Sequence, residues 1–203
     1  NLSMENDYQI AVMDRLDEVL GPEDTYFDGV GMALGRRQTV DIWYDVINQR
    51  AYRQDPHLVQ QLIDHLAERG VGALVVNERT RSLPDTFQRF RDQYFVQDWG
   101  NVYVPGGAYQ TEALAHGGAS LPALTRGTYH VRGEPGAWRH LAIDGEPLNG
   151  PALTLDAGSH RIEANADVGY VRILRLRPDF VETREPLDAY KSLFPKESNL
   201  LSL

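Results

Sequence analysis

The chain has 203 residues, 42% apolar and 24% charged, a globular composition long enough for one large domain or two small ones. Its formal net charge is −9, and residues 1–105 carry most of it, with 10 basic and 17 acidic side chains against 10 and 12 in residues 106–203. An acidic surface of this kind excludes nucleic acid as the main partner, because phosphate contacts need a basic face. The absence of cysteine excludes disulfide frameworks, thiolate zinc sites and thiol nucleophiles, and no run approaches the roughly 20 apolar residues of a bilayer span. No secretory leader is visible at Asn1, so the chain reads as a cytoplasmic protein or as a soluble piece of a longer one. Of the 20 basic residues only Lys191 and Lys196 are lysines, a bias read as genome composition.

Residues 8–20 predict a helix, with Ile10, Met13, Leu16, Val19 and Leu20 at helical spacing and Gly21-Pro22 as the stop. Thr25, Tyr26 and Phe27 form a short strand that runs into a glycine-rich turn at 28–31. Residues 32–50 are ambiguous, with Ile42, Trp43, Val46 and Ile47 able to form a helical face. Asp55-Pro56 opens a helix over 56–69 that turns Leu58, Leu62, Ile63 and Leu66 inward and stops at Gly70. The continuous apolar run 71–76 has the pattern of a buried parallel strand. Leu83-Pro84 begins a further helix through Phe87, Phe90 and Tyr94, and Val102, Tyr103 and Val104 make a third strand. This alternation predicts a small parallel-sheet α/β domain over residues 1–105.

At Pro105-Gly106-Gly107 the rhythm changes to short alternating runs separated by Gly, Pro and Asp turns. Strands are expected near 109–114, 128–132, 138–143, 152–155, 160–164 and 169–176. That spacing predicts a β-sandwich (jelly-roll-like) domain over residues 106–180, followed by a loosely packed C-terminal tail over 181–203.

Four sets of residues bear on chemistry. The run Gly29, Gly31 and Gly35 after a strand has the form of a turn that cradles a pyrophosphate, but no acid-tipped second strand follows, and a loop that needs backbone freedom explains the same glycines. Arg36 and Arg37 follow the first strand and Arg79 and Arg81 the second, so in a parallel sheet both pairs would meet at one edge and could hold an anion or a lipid-linked phosphate, unless Glu78, Asp85 and Asp28 neutralise them. The six histidines are scattered without a His-Glu-x-x-His pattern, so no metal site is expected; His160, beside a hairpin turn, is read as a backbone hydrogen-bonding group, and His140 and Asp144 as structural. Trp99, Tyr103, Tyr109, Tyr129, Trp138 and Tyr170 gather around the second half; Trp99, Tyr109 and Trp138 are the candidates for stacking on a sugar, the competing role being core packing. No Gly-x-Ser-x-Gly is present, Ser120 reads as a loop residue, and no catalytic residue or cofactor is assigned.

The run from Gly21 to Gly31, with Trp43-Tyr44, Val75, Val76, Asn77, Arg79, Leu83-Pro84, Phe90, Tyr94 and the segment 102–106, resembles the extracytoplasmic C-terminal region of bacterial multi-spanning glycosyltransferases of the protein mannosyltransferase and aminoarabinose transferase type. The second half, with Gly127, Tyr129, Val131, Asp144-Gly145, Gly158 and His160, is similar to small accessory β-sandwiches of bacterial envelope proteins. The resemblance implies a parent enzyme that moves a sugar from a polyprenyl-phosphate carrier, with its catalytic acid in a membrane-proximal loop that no residue here matches. It implies a non-catalytic, extracytoplasmic, membrane-tethered module that assists carrier or acceptor recognition and has the membrane domain of the same polypeptide as its partner. A free-standing envelope carbohydrate-binding protein is the alternative, and a nucleotide-using enzyme built on residues 29–35 a third.

Overall fold

The structure, a computed structural model, describes residues 2–33, 35–40 and 46–187. It is a mixed α/β fold with one mixed sheet and one antiparallel sheet. Helix α1 (Leu2–Val19) begins earlier than the apolar spacing predicts and buries Val12, Leu16 and Val19, while Ile10 stays half-exposed. Strand β1 (Tyr26–Phe27) lies parallel to β2 (Ala73–Val75), with Tyr26 opposite Ala73 and Phe27 opposite Leu74. Between them come α2 (Val46–Gln54) and α3 (Pro56–Glu68). The Asp55 carboxylate accepts from His57 N at 2.9 Å and proline occupies the first turn of α3, which is why that helix was legible. Ile42 and Trp43 lie outside the described residues, as do Tyr44 and the side chains of Val46 and Ile47.

After β2 come the single turn α4 (Glu78–Arg81), helix α5 (Asp85–Tyr94), strand β3 (Phe95–Trp99) and the long strand β4 (Val102–Gln110). Here the expected all-parallel sheet is corrected. β4 runs antiparallel to β2, with Leu74 opposite Tyr103, and antiparallel to β3, with Val96 opposite Val104. The strand that continues the helix-crossover pattern is β3, and the Gly100-Asn101 turn then folds the chain straight back as β4. Apolar side chains alternate across this sheet. Tyr26, Ala73, Val75, Val102 and Val104 face α1, and Phe27, Leu74 and Phe95 face α3 and α5.

β4 does not stop at the glycine pair. Its first half pairs with β2 and β3 and its second half with β11 (Tyr170–Arg175), whose Leu174 lies opposite Gly106. The change of partner falls at Pro105-Gly106. Proline brings no N–H to the ladder, and Gly106 (φ 154°) lets the backbones approach so closely that a Cβ there would strike the Ile173 carbonyl oxygen.

Beyond β4 the expected strand over 109–114 ends at Gln110, and α6 (Thr111–Gly117) takes its place, a helix-forming Glu-Ala-Leu-Ala stretch with Thr111 and Leu114 inward. Then follow β5 (Ala119–Ala123), β6 (Gly127–Arg132), a 3-10 turn (Ala137–His140), β7 (Leu141–Ile143), β8 (Glu146–Pro147), β9 (Ala152–Leu155) and β10 (Gly158–Ala164). β4, β11, β6 and β9 extend the first sheet, and β5, β10, β7 and β8 form the second. Leu121, Ile143 and Ile162 of the second sheet share one apolar cluster with Tyr129, Leu155, Val171 and Ile173 of the first. Residues 181–187 of the expected loose tail carry no helix or strand, yet they are tied to the body of the fold by ion pairs; residues 188–203 lie outside the described residues.

Candidate functional site

The glycine-rich turn after β1 is closed on itself. The buried Asp28 carboxylate accepts from Val30 N, Gly31 N and Met32 N at 2.8, 2.7 and 2.8 Å. These N–H groups are the ones a pyrophosphate would need, and the protein's own anion already fills them.

The four candidate arginines are divided between the two ends of the β1–β2 pair. After the turn the chain doubles back and runs beside β1, with Tyr26 N donating to Arg37 O at 3.2 Å, so Arg36 and Arg37 come to the amino end of β1. Arg36 pairs with Asp17 at 2.5 Å and donates to Gly21 O at 2.8 Å and Leu20 O at 3.3 Å, satisfying carbonyls at the end of α1. Arg37 is exposed. Arg79 and Arg81 sit on α4, past the carboxyl end of β2, where Asn77 and Thr80 cap each other reciprocally. Asn77 Nδ2 donates to Asp28 O at 2.8 Å, so the two loops do meet, but through an amide.

His160 closes a clasp between two hairpin turns. Its Nδ1 lies 2.7 Å from Asp144 Oδ2 and its Nε2 2.9 Å from Asp156 O. Only the imidazolium can donate to both acceptors, and its pKa is raised, first by the Asp144 hydrogen bond and then by the Asp156 carbonyl. Neither nitrogen is available to activate the Ser120 and Ser159 hydroxyls nearby, which bond each other at 2.8 Å.

A cleft of about 490 Å³ lies where β3, β6, β11 and the C-terminal segment meet. Trp99, Trp138 and Tyr170 line it, together with Asp98, Arg132, Glu134, Arg172 and Glu182. Two of the three sugar-stacking candidates, Trp99 and Trp138, are thus brought into one site. Tyr109 is elsewhere, its hydroxyl donating to Ser120 O at 3.0 Å and burial pushing its pKa up to about 12. Trp99 is held by three contacts, two of them from the C-terminal segment: Tyr8 packs 5.9 Å from its ring, the Arg184 guanidinium sits 5.5 Å over it, and its indole N–H donates to Glu185 O at 3.0 Å. Tyr170, 49% exposed, supplies the accessible ring; Trp138 is half-buried and carries the Arg139 guanidinium 5.2 Å over its ring. Tyr170 stood among the aromatic residues of the second half, and its place after the turn at 167–169 was the available signal that it projects outward.

Behind the cleft lies a charge cluster that sequence reasoning missed. Arg15 of α1, fully buried, grips Asp98 of β3 through two hydrogen bonds of 2.6 and 3.0 Å and Glu182 through two of 2.9 Å. Burial works against its charge, but the bonds to Asp98, Glu182 and Glu18 outweigh it and raise its pKa. Arg132 of β6 shares Asp98 at 2.6 Å. Its Nη2 lies 2.8 Å from Glu182 Oε2 but is buried without hydrogen-bond geometry, and desolvation lowers its pKa despite the two carboxylates. Both guanidinium groups lie over the Phe180 ring, 5.1 and 4.8 Å from its centroid. Among the described residues no group of three His, Asp or Glu side chains is placed to hold a metal ion, and no helix is long and apolar enough to cross a membrane. Comparison of the chain with protein-family models, with curated proteins and with solved structures finds no match.

Proposed function

We propose that the protein is a non-catalytic saccharide-binding module whose site is the cleft at Trp138 and Tyr170. One observation carries this reading: the exposed ring of Tyr170 from β11 and the half-buried ring of Trp138 from the 3-10 turn line a concave site of about 490 Å³ together with charged side chains able to hydrogen-bond hydroxyl groups. Pockets of about 300–1,000 Å³ with apolar walls and a few convergent polar groups are the size and character of small-ligand sites. Pyranose rings offer C–H faces to aromatic side chains and hydroxyls to charged ones. Two of the cleft carboxylates, Asp98 and Glu182, are paired with arginines. Burial works against the charge of Glu182, but its hydrogen bonds from Arg15 and Arg184 N and the nearby charge of Arg132 outweigh that cost and hold it below the usual carboxylate range, and a carboxylate so held is not a proton donor at neutral pH.

The setting we propose follows from the resemblance of the first half: an extracytoplasmic module of a membrane glycosyltransferase, with residues 106–180 as its β-sandwich portion, assisting recognition of the sugar carrier or the acceptor. The experiment is a titration of soluble oligosaccharides followed by tryptophan fluorescence. Trp138→Ala and Tyr170→Ala are each expected to weaken binding by about 1–3 kcal/mol, on the scale of losing one well-packed aromatic contact, while Tyr109→Phe leaves it unchanged. Equal affinity in all four proteins would remove the cleft from consideration. For the setting, the open reading frame upstream of Asn1 decides: several membrane spans support the transferase module, and a secretory leader in their place supports a free-standing envelope binding protein.

A further inference from the structure

The cleft contains a carboxylate clamp that the protein fills from its own chain. Strands β6 and β11 set Arg132 directly opposite Arg172. Like charges in that position repel unless an anion lies near them. Arg172 Nη1 donates to Gln97 O at 3.1 Å, and on the Arg132 side Asp98 is shared with the buried fork of Arg15. The second anion is Glu182. It is gripped by both Nη atoms of Arg15 at 2.9 Å and lies 2.8 Å from Arg132 Nη2, the geometry with which a guanidinium fork takes any planar carboxylate.

Glu182 differs from the rest of the cluster in how it is held. The Arg15 and Asp98 side chains are 1% and 0% exposed, and that of Glu182 is 39% exposed. It stands on a segment without helix or strand, and it forms part of the wall of the cleft that Trp138 and Tyr170 line. Arg132 Nη2 gains a neighbour from it but no hydrogen bond. A partly exposed carboxylate therefore sits on a double-arginine seat, next to the exposed Tyr170 ring and the half-buried Trp138.

Resting on the saccharide reading above, we propose that the cleft is selective for an acidic sugar, a uronic acid unit whose carboxylate displaces Glu182 from Arg15 and Arg132 while its ring lies against Trp138 and Tyr170. Glu182 is then a placeholder that keeps the clamp neutral when no ligand is bound and competes with the ligand for it.

The test is a calorimetric titration of the full chain and of Glu182→Gln with methyl glucuronoside, methyl glucoside and a short poly-glutamate. Gln keeps the shape of the side chain and removes the competing charge, and Arg15 keeps its hydrogen bonds to Asp98 and Glu18. The expected result is that glucuronoside binds wild type more tightly than glucoside does. Glu182→Gln should then raise glucuronoside affinity about tenfold, the size of a charge-assisted contact released from competition, with glucoside affinity unmoved. If glucuronoside has no advantage in either protein, or if Glu182→Gln leaves the ratio of the two sugars unchanged, the inference is overturned. In that case glucoside binding that is lost in Trp138→Ala preserves the saccharide reading by itself. If neither sugar binds either protein, both readings fall. Binding of poly-glutamate alone to Glu182→Gln would make the clamp a peptide site and overturn the acidic-sugar inference.

Discussion

At the scale of single residues, two acids set local conformation by supplying an anion where the backbone needs one. Asp28 holds three N–H groups of the turn after β1, and its loss leaves all three without their acceptor in a half-buried site. Asp28→Ala is expected to cost about 2–3 kcal/mol, on the scale of an abandoned buried donor, and the exposed Arg37→Ala within about 0.5 kcal/mol; urea unfolding midpoints compare the two. Asp144 plays the second role, fixing His160 and, through its other oxygen, Arg161 N at 2.7 Å. The pH dependence follows from the directions of the shifts. The folded pKa of His160 is raised, so its contribution is complete below its unfolded value of about 6.5 and disappears as pH rises through the higher folded value. The folded pKa of Asp144 is lowered, first by the His160 hydrogen bond, so its contribution is present above about 3.9 and lost as pH falls through the folded value. The clasp is strongest between the two. Wild type should therefore lose stability on going from weakly acid to weakly alkaline solution, and His160→Gln should lose less over the same interval, as thermal melts across pH would show.

At the scale of elements, β4 decides the architecture. A strand that changes partners at its midpoint joins the helix-covered part of the sheet to the part that packs on β5, β10 and β7, without a linker between them. Gly106 makes this possible. Gly106→Ala adds a Cβ against the Ile173 carbonyl at a φ of 154°, where side chains are strained, and backbone cannot move aside as a flexible side chain would. A loss of about 3 kcal/mol or more is expected, at the upper end of single substitutions. Gly145→Ala, at a turn with open space around it, should cost only the strain of its positive φ, about 1 kcal/mol. Both are read by denaturant unfolding. The turn pattern around Gly106 was plain in the sequence. The pairing of one strand with both β2 and β11 was not, because a proline and two glycines punctuate a chain in the same way whether a strand ends there or changes partners.

At the scale of the whole molecule, residues 178–187 act as a strap. They bind α1 through Glu182 and Arg184, the β3–β4 turn through Leu187 O to Gly100 N at 2.5 Å, and β6 through Phe180 and Glu182. The bonds are polar, the segment is largely exposed, and it lies at the rim of the cleft, features of a part of low local stability. Native-state hydrogen exchange should show the Gly100 amide exchanging through a local opening that leaves the central amides of β4 protected until global unfolding. The folded pKa of Glu182 is lowered, so its hold on the strap exists above the ordinary carboxylate value and weakens as pH falls through the folded one. Acid should accordingly speed exchange at Gly100 once the intrinsic rate is corrected for pH, and Glu182→Gln should abolish that acceleration.

By itself the sequence determined what depends on neighbours a few positions away. The helical period and the Asp55-Pro56 start specified α3, the apolar run specified β2, and the Gly, Asn and Asp turns marked β6, β9, β10 and β11. Only the tertiary structure decided which strands pair and which charges meet. Arg15 and Glu182 are 167 positions apart and Asp98 and Arg132 are 34 apart, and an ion pair leaves no periodic trace in the chain. The cleft belongs to this second category, because Trp99, Arg132, Trp138, Tyr170 and Glu182 come together only once β4 has joined β11 and the strap has crossed α1. Local patterns fix elements because their cause is the geometry of a single helix or strand. Long-range pairing is fixed by which arrangement buries the apolar faces of all the elements together, a property of no one segment.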